Sequence, residues 1–327
     1  MSFCIFTEYE IIESHSLLYI RKCGRKVQKF KGYLLVILAS SLWGVSGTVA
    51  QKLFAEDGLT VEWLVCVRLL LSGVLFLLYA FVKLGKRQVL EVFQHKSSVI
   101  HMVIFGIIGM LGVQYTFYAA IHEGNAAVAT LLQYTAPIFI MIYYLIVLKL
   151  QPMLVEIIAV ILALGGTFLI LTNGSLETVS VSMTAFWWGM SSAFALAYYL
   201  LHSGHLVRQF PSVTVMGYGM LIGGIVFCFF QNPFSINTEG WTISTIGSIA
   251  FVIIFGTILP FLMYSESLRY ITAKETSLLG CTEPLAAIIV SIVWLHTSFG
   301  IFQAFGSLCI IVMVLLLSLR TKEGKTV

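Results

Sequence analysis

The sequence predicts an all-α polytopic membrane protein, with ten transmembrane helices arranged as two inverted five-helix repeats. Three observations predict it. Of 327 residues, 59% are apolar and only 10% are Asp, Glu, Lys or Arg, where a soluble domain carries about 25%; mean hydropathy is +0.96. The charges gather in short stretches between long apolar runs. The chain also resembles itself at a displacement of 147 residues, the distance from Pro137 to Pro284. A globule in water could neither hide this apolar surface nor cover itself with 19 basic and 15 acidic residues. That excludes an ordinary cytosolic enzyme, a nucleic-acid binder and a secreted domain.

Residues 1–31 are polar and mixed, with Glu8, Glu10 and Glu13 ahead of Arg21, Lys22, Arg25, Lys26 and Lys29. They lack the basic, apolar and small-residue order of a signal peptide. A disordered or surface-lying cytoplasmic tail is expected. The first repeat, 32–172, holds apolar segments at 33–53, 61–82, 98–121, 126–148 and 153–171. The second, 173–320, holds 181–201, 212–230, 243–265, 274–294 and 300–319. Residues 321–327 form a short cytoplasmic C-terminal tail. Each segment, at about 19–24 residues and ~1.5 Å per residue, can cross a ~30 Å hydrocarbon core. Helices are required, because backbone polar groups in lipid must be satisfied within the segment.

Ten crossings put both termini on one side, and the basic residues say which. With the ends cytoplasmic, 17 of the 19 Lys and Arg fall inside. They lie in the N-terminal tail through Lys31; at Lys83, Lys86, Arg87 and Lys96; at Lys149; at Arg208; at Arg269 and Lys274; and at Arg320, Lys322 and Lys325. Only Lys52 lies outside, and Arg68 is within the second helix. A wrong helix count would break this alternation. The six cysteines show no ligand spacing, so neither a disulfide nor a metal site is expected.

The repeat aligns 117–171 with 264–318 without a gap. Ala126 meets Ala273, Leu131 and Leu132 meet Leu278 and Leu279, Thr135 meets Thr282, and Pro137 meets Pro284. A five-helix unit is odd, so the second copy enters the membrane upside down, as in many transporters. Paired helix interruptions point to a central site. Pro137 and Pro284 are such a pair, each freeing a carbonyl near mid-helix. Gly112 and Pro260 make a weaker one.

Leu42-Trp43-Gly44 in helix one, Arg68 before an apolar run in helix two, Ala126 through Pro137 in helix four and Glu283-Pro284 in helix nine resemble EamA-type carriers of the drug/metabolite transporter superfamily. The similarity spans about 32–320. It implies helices one, three, four, six, eight and nine around a central cavity, and transport of small metabolites, often amino acids, frequently outward. One departure stands out. Where such carriers often have a Gly-Glu-Arg-like step after helices four and nine, this chain reads Leu148-Lys149-Leu150 and Leu295-His296-Thr297.

Two ionised groups lie well inside apolar helices, and each costs at least ~2.5–3.5 kcal/mol to insert without a partner or wet cavity. Glu283, near mid-membrane, is the candidate for contact with a substrate amine or a transported proton. Its alternative is a structural carboxylate. Arg68 is expected to be a structural charge whose stem can snorkel toward the outer interface, with a partner among loop acids or freed carbonyls. Trp43, Tyr118, Trp188 and Tyr264 are the best candidates for an aromatic wall that would suit an amphipathic or cationic solute. Trp187, Gln114, Tyr115, Gln133 and Tyr134 also lie on the expected lining helices. Gly106, Gly109, Gly112, Gly219 and Gly223 suit close helix packing.

Rival functions are weaker. Gly44-Val45-Ser46-Gly47 resembles a serine-protease step, but every histidine lies in the tail, a loop or a helix end, leaving no base for the serine. Carriers of phosphorylated sugars want cavity Lys or Arg, absent from the expected cavity helices. A non-transporting scaffold is a further alternative. No catalytic residue, cofactor, metal or nucleic-acid partner is expected. The expectation is therefore a secondary exporter in a bacterial plasma membrane, monomer or homodimer, with protons as candidate coupling ion. An uptake carrier of the same fold is the alternative.

Overall fold

The protein is described by a computed structural model covering residues 3–149, 151, 153–174, 181–235, 238 and 240–320. Among them there are ten helical rods and no strand. We number them α1 (Phe3–Ala55), α2 (Val61–Leu90), α3 (Lys96–Glu123), α4 (Ala126–Gln133, then Ala136–Ile146) and α5 (Leu154–Thr172). The second five are α6 (Met183–Leu206), α7 (Ser212–Phe227), α8 (Ile243–Ser267), α9 (Ala273–Gly280, then Thr282–Leu295) and α10 (Ile301–Arg320). Six helices are long and apolar enough to cross a membrane, among them α2, α5 and α8, and shorter apolar helices lie in α7, α9 and α10.

Helix starts follow local chemistry. Thr60, Asn125, Ser182 and Thr242 accept hydrogen bonds from Trp63, Val128, Ala185 and Thr245 backbone N–H at the starts of α2, α4, α6 and α8. The straight part of α2 ends at Gly85, whose φ of 81° is outside the helical region. The helical backbone of α1 runs unbroken from Phe3, through the stretch expected to be a tail, into the apolar part after Gln28.

The packing obeys the repeat. α1 packs on α8 and α9, while α6 packs on α3 and α4; α2 packs on α7, and α5 on α10. Exchanging α1–α5 for α6–α10 leaves this set of pairings unchanged. With an odd number of helices per copy, the two copies are inverted. Loops sort accordingly. At one end Asp57 accepts from the Thr245 hydroxyl at 2.6 Å, Trp63 donates to the Pro233 carbonyl at 2.8 Å, Ser182 donates to the Glu123 carbonyl, and Lys52 sits 5.7 Å from the Trp294 ring. At the other end Lys29 and Tyr33 of α1 bind Glu275 at 3.2 and 2.7 Å.

Within this frame α3 and α8 each contain a π-helical segment, Phe105–Leu111 and Ile254–Ile258. These overlap under the same displacement; Gly112 follows the first directly, and Pro260 lies two residues past the second. π-Turns leave carbonyls poorly served by the helix itself. The segment in α3 is covered by close packing: a Cβ on Gly223 would lie 2.7 Å from the Gly106 carbonyl. Of the predicted glycines, Gly106 of α3 and Gly219 and Gly223 of α7 thus form a helix seam, while Gly112 faces Ala195 of α6. The segment in α8 is covered by Arg68.

Candidate functional site

The two predicted helix breaks occur at equivalent places. α4 is interrupted at Tyr134 and Thr135, and α9 at Cys281. Each break is capped in the same way: Thr135 Oγ1 donates to the Leu132 carbonyl at 2.6 Å, and Thr282 Oγ1 to the Leu279 carbonyl at 2.9 Å. Pro284 has no N–H, so the carbonyl four residues earlier, Gly280, loses its helical donor. The Tyr134 hydroxyl reaches that carbonyl from α4, at 2.9 Å. The interrupted helix of one repeat thereby meets the interrupted helix of the other.

Glu283 lies in the first turn of the second half of α9, half-buried. Its Oε2 is 3.0 Å from the same Tyr134 hydroxyl. Among the described residues it has no ion-pair partner at 4.0 Å or less. Trp43 of α1 stacks against Phe261 and Tyr264 of α8, with ring centroids 5.1 and 5.5 Å apart. Its neighbour Gly44 lies so close to α9 that a Cβ would stand 2.4 Å from the Glu283 carbonyl. A carboxylate, a phenol hydroxyl and an aromatic pair therefore come together where α1, α4, α8 and α9 meet. An aromatic pair beside an unpaired carboxylate suits a positively charged or amphipathic ligand.

The repeat-related place is built alike, but Ala136 stands at the position aligned with Glu283. Gly189 of α6 packs on Leu132 of α4, with a Cβ position 2.8 Å from the Leu132 Cβ. Its neighbour Trp188 meets Tyr115 of α3 edge-on at 5.6 Å. Trp43-Gly44 and Trp188-Gly189 are therefore counterparts. The Tyr115 hydroxyl donates to Glu62 at 3.1 Å.

Arg68 corrects the expectation of snorkelling. It is 5% exposed and turned into the bundle. Nε donates to Thr257 Oγ1 at 2.5 Å, Nη1 to Gln114 Oε1 at 2.7 Å and to the Tyr118 hydroxyl, and Nη2 to the Gly256 carbonyl at 3.0 Å. Gly256 and Thr257 belong to the π-segment of α8, whose loosened carbonyl gives the guanidinium a nearer acceptor than the interface does. Tyr118 is 1% exposed and held beneath Arg68, with the guanidinium 4.9 Å from its ring centroid.

The structure thus brings Glu283, Pro284, Trp43 and Tyr264 together. Pro137 stands at the opposing break, Trp188 at the pseudo-equivalent place, and Tyr118 with Arg68. Trp187, expected in the aromatic wall, faces outward at 66% exposure. Tyr134 was legible only as one of several aromatic and polar residues on the lining helices, without a role of its own. The signal was present: Tyr134 aligns with Cys281, so it sits at the same break, with the only hydroxyl of that aligned pair. Gln114 and Thr257 were also legible as polar side chains inside apolar runs. Among the described residues, no group of three or more His, Cys, Asp or Glu could hold a metal.

Known proteins agree with this architecture. The EamA-like transporter family matches residues 30–172 and again residues 183–319. A Salmonella typhimurium protein named "Uncharacterized inner membrane transporter YicL" is 31% identical over 297 residues, covering 90% of this chain and 97% of that protein. "Uncharacterized transporter YwfM" of Bacillus subtilis is 24% identical over 296 residues, covering 90% of this chain and 95% of its own length. A solved crystal structure shares the fold, with a TM-score of 0.58 at 15% identity over 90% of this chain and 97% of that one. With two family matches in tandem on an inverted helical repeat, the chain belongs to the EamA-like transporter family of multi-pass membrane proteins.

Proposed function

We propose that this transporter is a secondary carrier that exports an amino acid or a similar amphipathic, cationic metabolite. It works by alternating access, the two repeats exchanging inward- and outward-open forms around the place where α1, α4, α8 and α9 meet at Glu283. It lies in a bacterial plasma membrane with both termini cytoplasmic, as monomer or homodimer, and protons are the coupling ion.

The observation that carries this reading is Glu283, an acid at a helix break with a phenol and an aromatic pair beside it and, among the described residues, no basic side chain paired with it. A carboxylate in apolar surroundings is compensated by a cation or a proton. Arg68, by contrast, is already committed to four neutral protein groups, so it offers little to a phosphorylated solute.

The test is flux into proteoliposomes. A panel of labelled amino acids and amines is offered with and without a proton gradient, to wild type and Glu283→Gln. Loss of one charge-assisted contact is worth about 1.5–3 kcal/mol, or roughly ten-fold or more in rate. Wild type should move at least one solute faster under the gradient, and the variant should not. Full flux through well-folded Glu283→Gln would refute the role of the charge.

A further inference from the structure

The Tyr134 hydroxyl carries a single proton but faces two acceptors, Glu283 Oε2 at 3.0 Å and the Gly280 carbonyl at 2.9 Å. It cannot serve both fully at once. The two acceptors differ in kind. One is the group the proposed substrate or proton would occupy. The other is a main-chain carbonyl that Pro284 has stripped of its helical donor, so it depends on donors from outside α9. Tyr134 belongs to the first repeat, and both acceptors to the second.

We infer that Tyr134 is the coupling residue of this carrier, reporting the charge on Glu283 to the contact between the two broken helices. The inference rests on the reading of Glu283 given above. While Glu283 is ionised, the stronger acceptor claims the hydroxyl proton, because hydrogen bonds to charged groups are stronger. Gly280 is then left unserved, and the α4–α9 contact is loosened. When a proton neutralises Glu283, the new carboxyl O–H donates to Tyr134 Oη. The Tyr134 proton then turns to Gly280, giving an unbroken chain from carboxyl to phenol to carbonyl. A substrate ammonium weakens the carboxylate's demand on the phenol and favours the same arrangement. No covalent bond changes; one proton is gained by Glu283 and one hydrogen bond is handed on.

The surroundings leave this relay little competition. Among the described residues, the titratable groups around Glu283 are Tyr134 from α4, Tyr264 from α8 and Cys281 on α9 itself. α1 contributes Trp43 and Gly44, which do not titrate. Thr282 is occupied by the Leu279 carbonyl, so it does not replace Tyr134 at Gly280.

The test needs no identified substrate. Full-length protein in lipid nanodiscs is followed by hydrogen–deuterium exchange across pH, corrected for intrinsic exchange, in peptides covering 273–295. One hydrogen bond of about 1 kcal/mol corresponds to roughly five-fold in protection. Wild type should exchange slowly at low pH and about five-fold faster at high pH. Tyr134→Phe should show the fast level at every pH. Glu283→Gln, which imitates the neutral acid, should show the slow level at every pH. Pro284→Ala supplies Gly280 with a backbone donor and should also stay slow, which keeps the test sound should Tyr134→Phe fold poorly. A Tyr134→Phe protein that keeps the wild-type pH response, or a wild type without one, overturns the inference. Flux by wild type is measured separately. Its absence would overturn the carrier reading while leaving the exchange result to stand or fall alone.

Discussion

Replacing Gly44 by alanine probes the contact on which the site is built. The added methyl would lie 2.4 Å from the Glu283 carbonyl oxygen and 2.8 Å from the Ala287 nitrogen, where ordinary contacts begin at 3.4 Å. Both neighbours are backbone, so no side chain can swing aside. α1 must retreat from α9 by about 1 Å, a gap that forfeits a quarter to a half of the dispersion energy along the contact. Overpacking of this kind costs about 1–3 kcal/mol, and a blocked backbone contact belongs near the upper figure. Alanine returns about 1 kcal/mol of helix propensity. The net loss is about 2 kcal/mol, or roughly 3 °C in unfolding temperature at ~2.1 cal/mol/K per residue. Gly47, one turn along α1, is the control. Its methyl would meet nothing nearer than 3.6 Å, so Gly47→Ala should be neutral or stabilising. Gly189→Ala should fall between them, because its closest neighbour is the end of the Leu132 side chain at 2.5 Å. Thermal unfolding in detergent measures all three, and proteoliposome flux shows whether the Gly44 variant also displaces Glu283. A Gly44→Ala protein as stable as Gly47→Ala, with undiminished flux, would refute the claim that α1 and α9 are in backbone contact there.

Arg68→Lys keeps the charge but offers one ammonium to four acceptors spread over α3 and α8. An ammonium has three donors, so at least one acceptor is left unserved at about 1–3 kcal/mol, and unfolding temperature should drop by an amount comparable to that in Gly44→Ala. Thr135→Val and Thr282→Val each remove the cap of one freed carbonyl and should each cost about 1 kcal/mol, the two losses adding in the double variant. Cys66 and Cys228 have sulfurs 3.6 Å apart. A copper–phenanthroline oxidant should therefore join them, and mass spectrometry should find the linked peptides of α2 and the end of α7. Failure to cross-link would mean that the α2–α7 seam is packed differently at that end.

Helix number, the repeat and both breaks were legible because each leaves a one-dimensional trace: apolar length, alternating bases, and prolines in register. The Trp-Gly step was half legible. Trp43-Gly44 was seen, while its counterpart Trp188-Gly189 escaped because it follows at 145 residues rather than 147. What stayed hidden depends on direction. Arg68 was legible as a structural charge in need of a loop acid or a freed carbonyl, but a sequence does not disclose that a π-turn 188 residues away supplies that carbonyl at Gly256. Tyr118 and Trp187 were both plausible wall residues by position. Rotation about the helix axis sends one under the guanidinium and the other out to lipid. The part played by Tyr134 was hidden for a different reason. Its importance comes from what Pro284 takes away on another helix.

The paired π-segments carry a consequence for thermodynamics. Under alternating access, two copies of one sequence would make inward- and outward-open forms equal in energy, and the carrier would idle with no preferred face. Here the same irregularity is clasped by a cation in one copy and by glycine contacts in the other. The two clasps respond differently to membrane composition, temperature and hydration, since one is electrostatic and the other is contact packing. Under the proposed alternating access, this mismatch makes the two open forms unequal in energy, and the resting orientation should drift with membrane composition even when the solute gradients do not change.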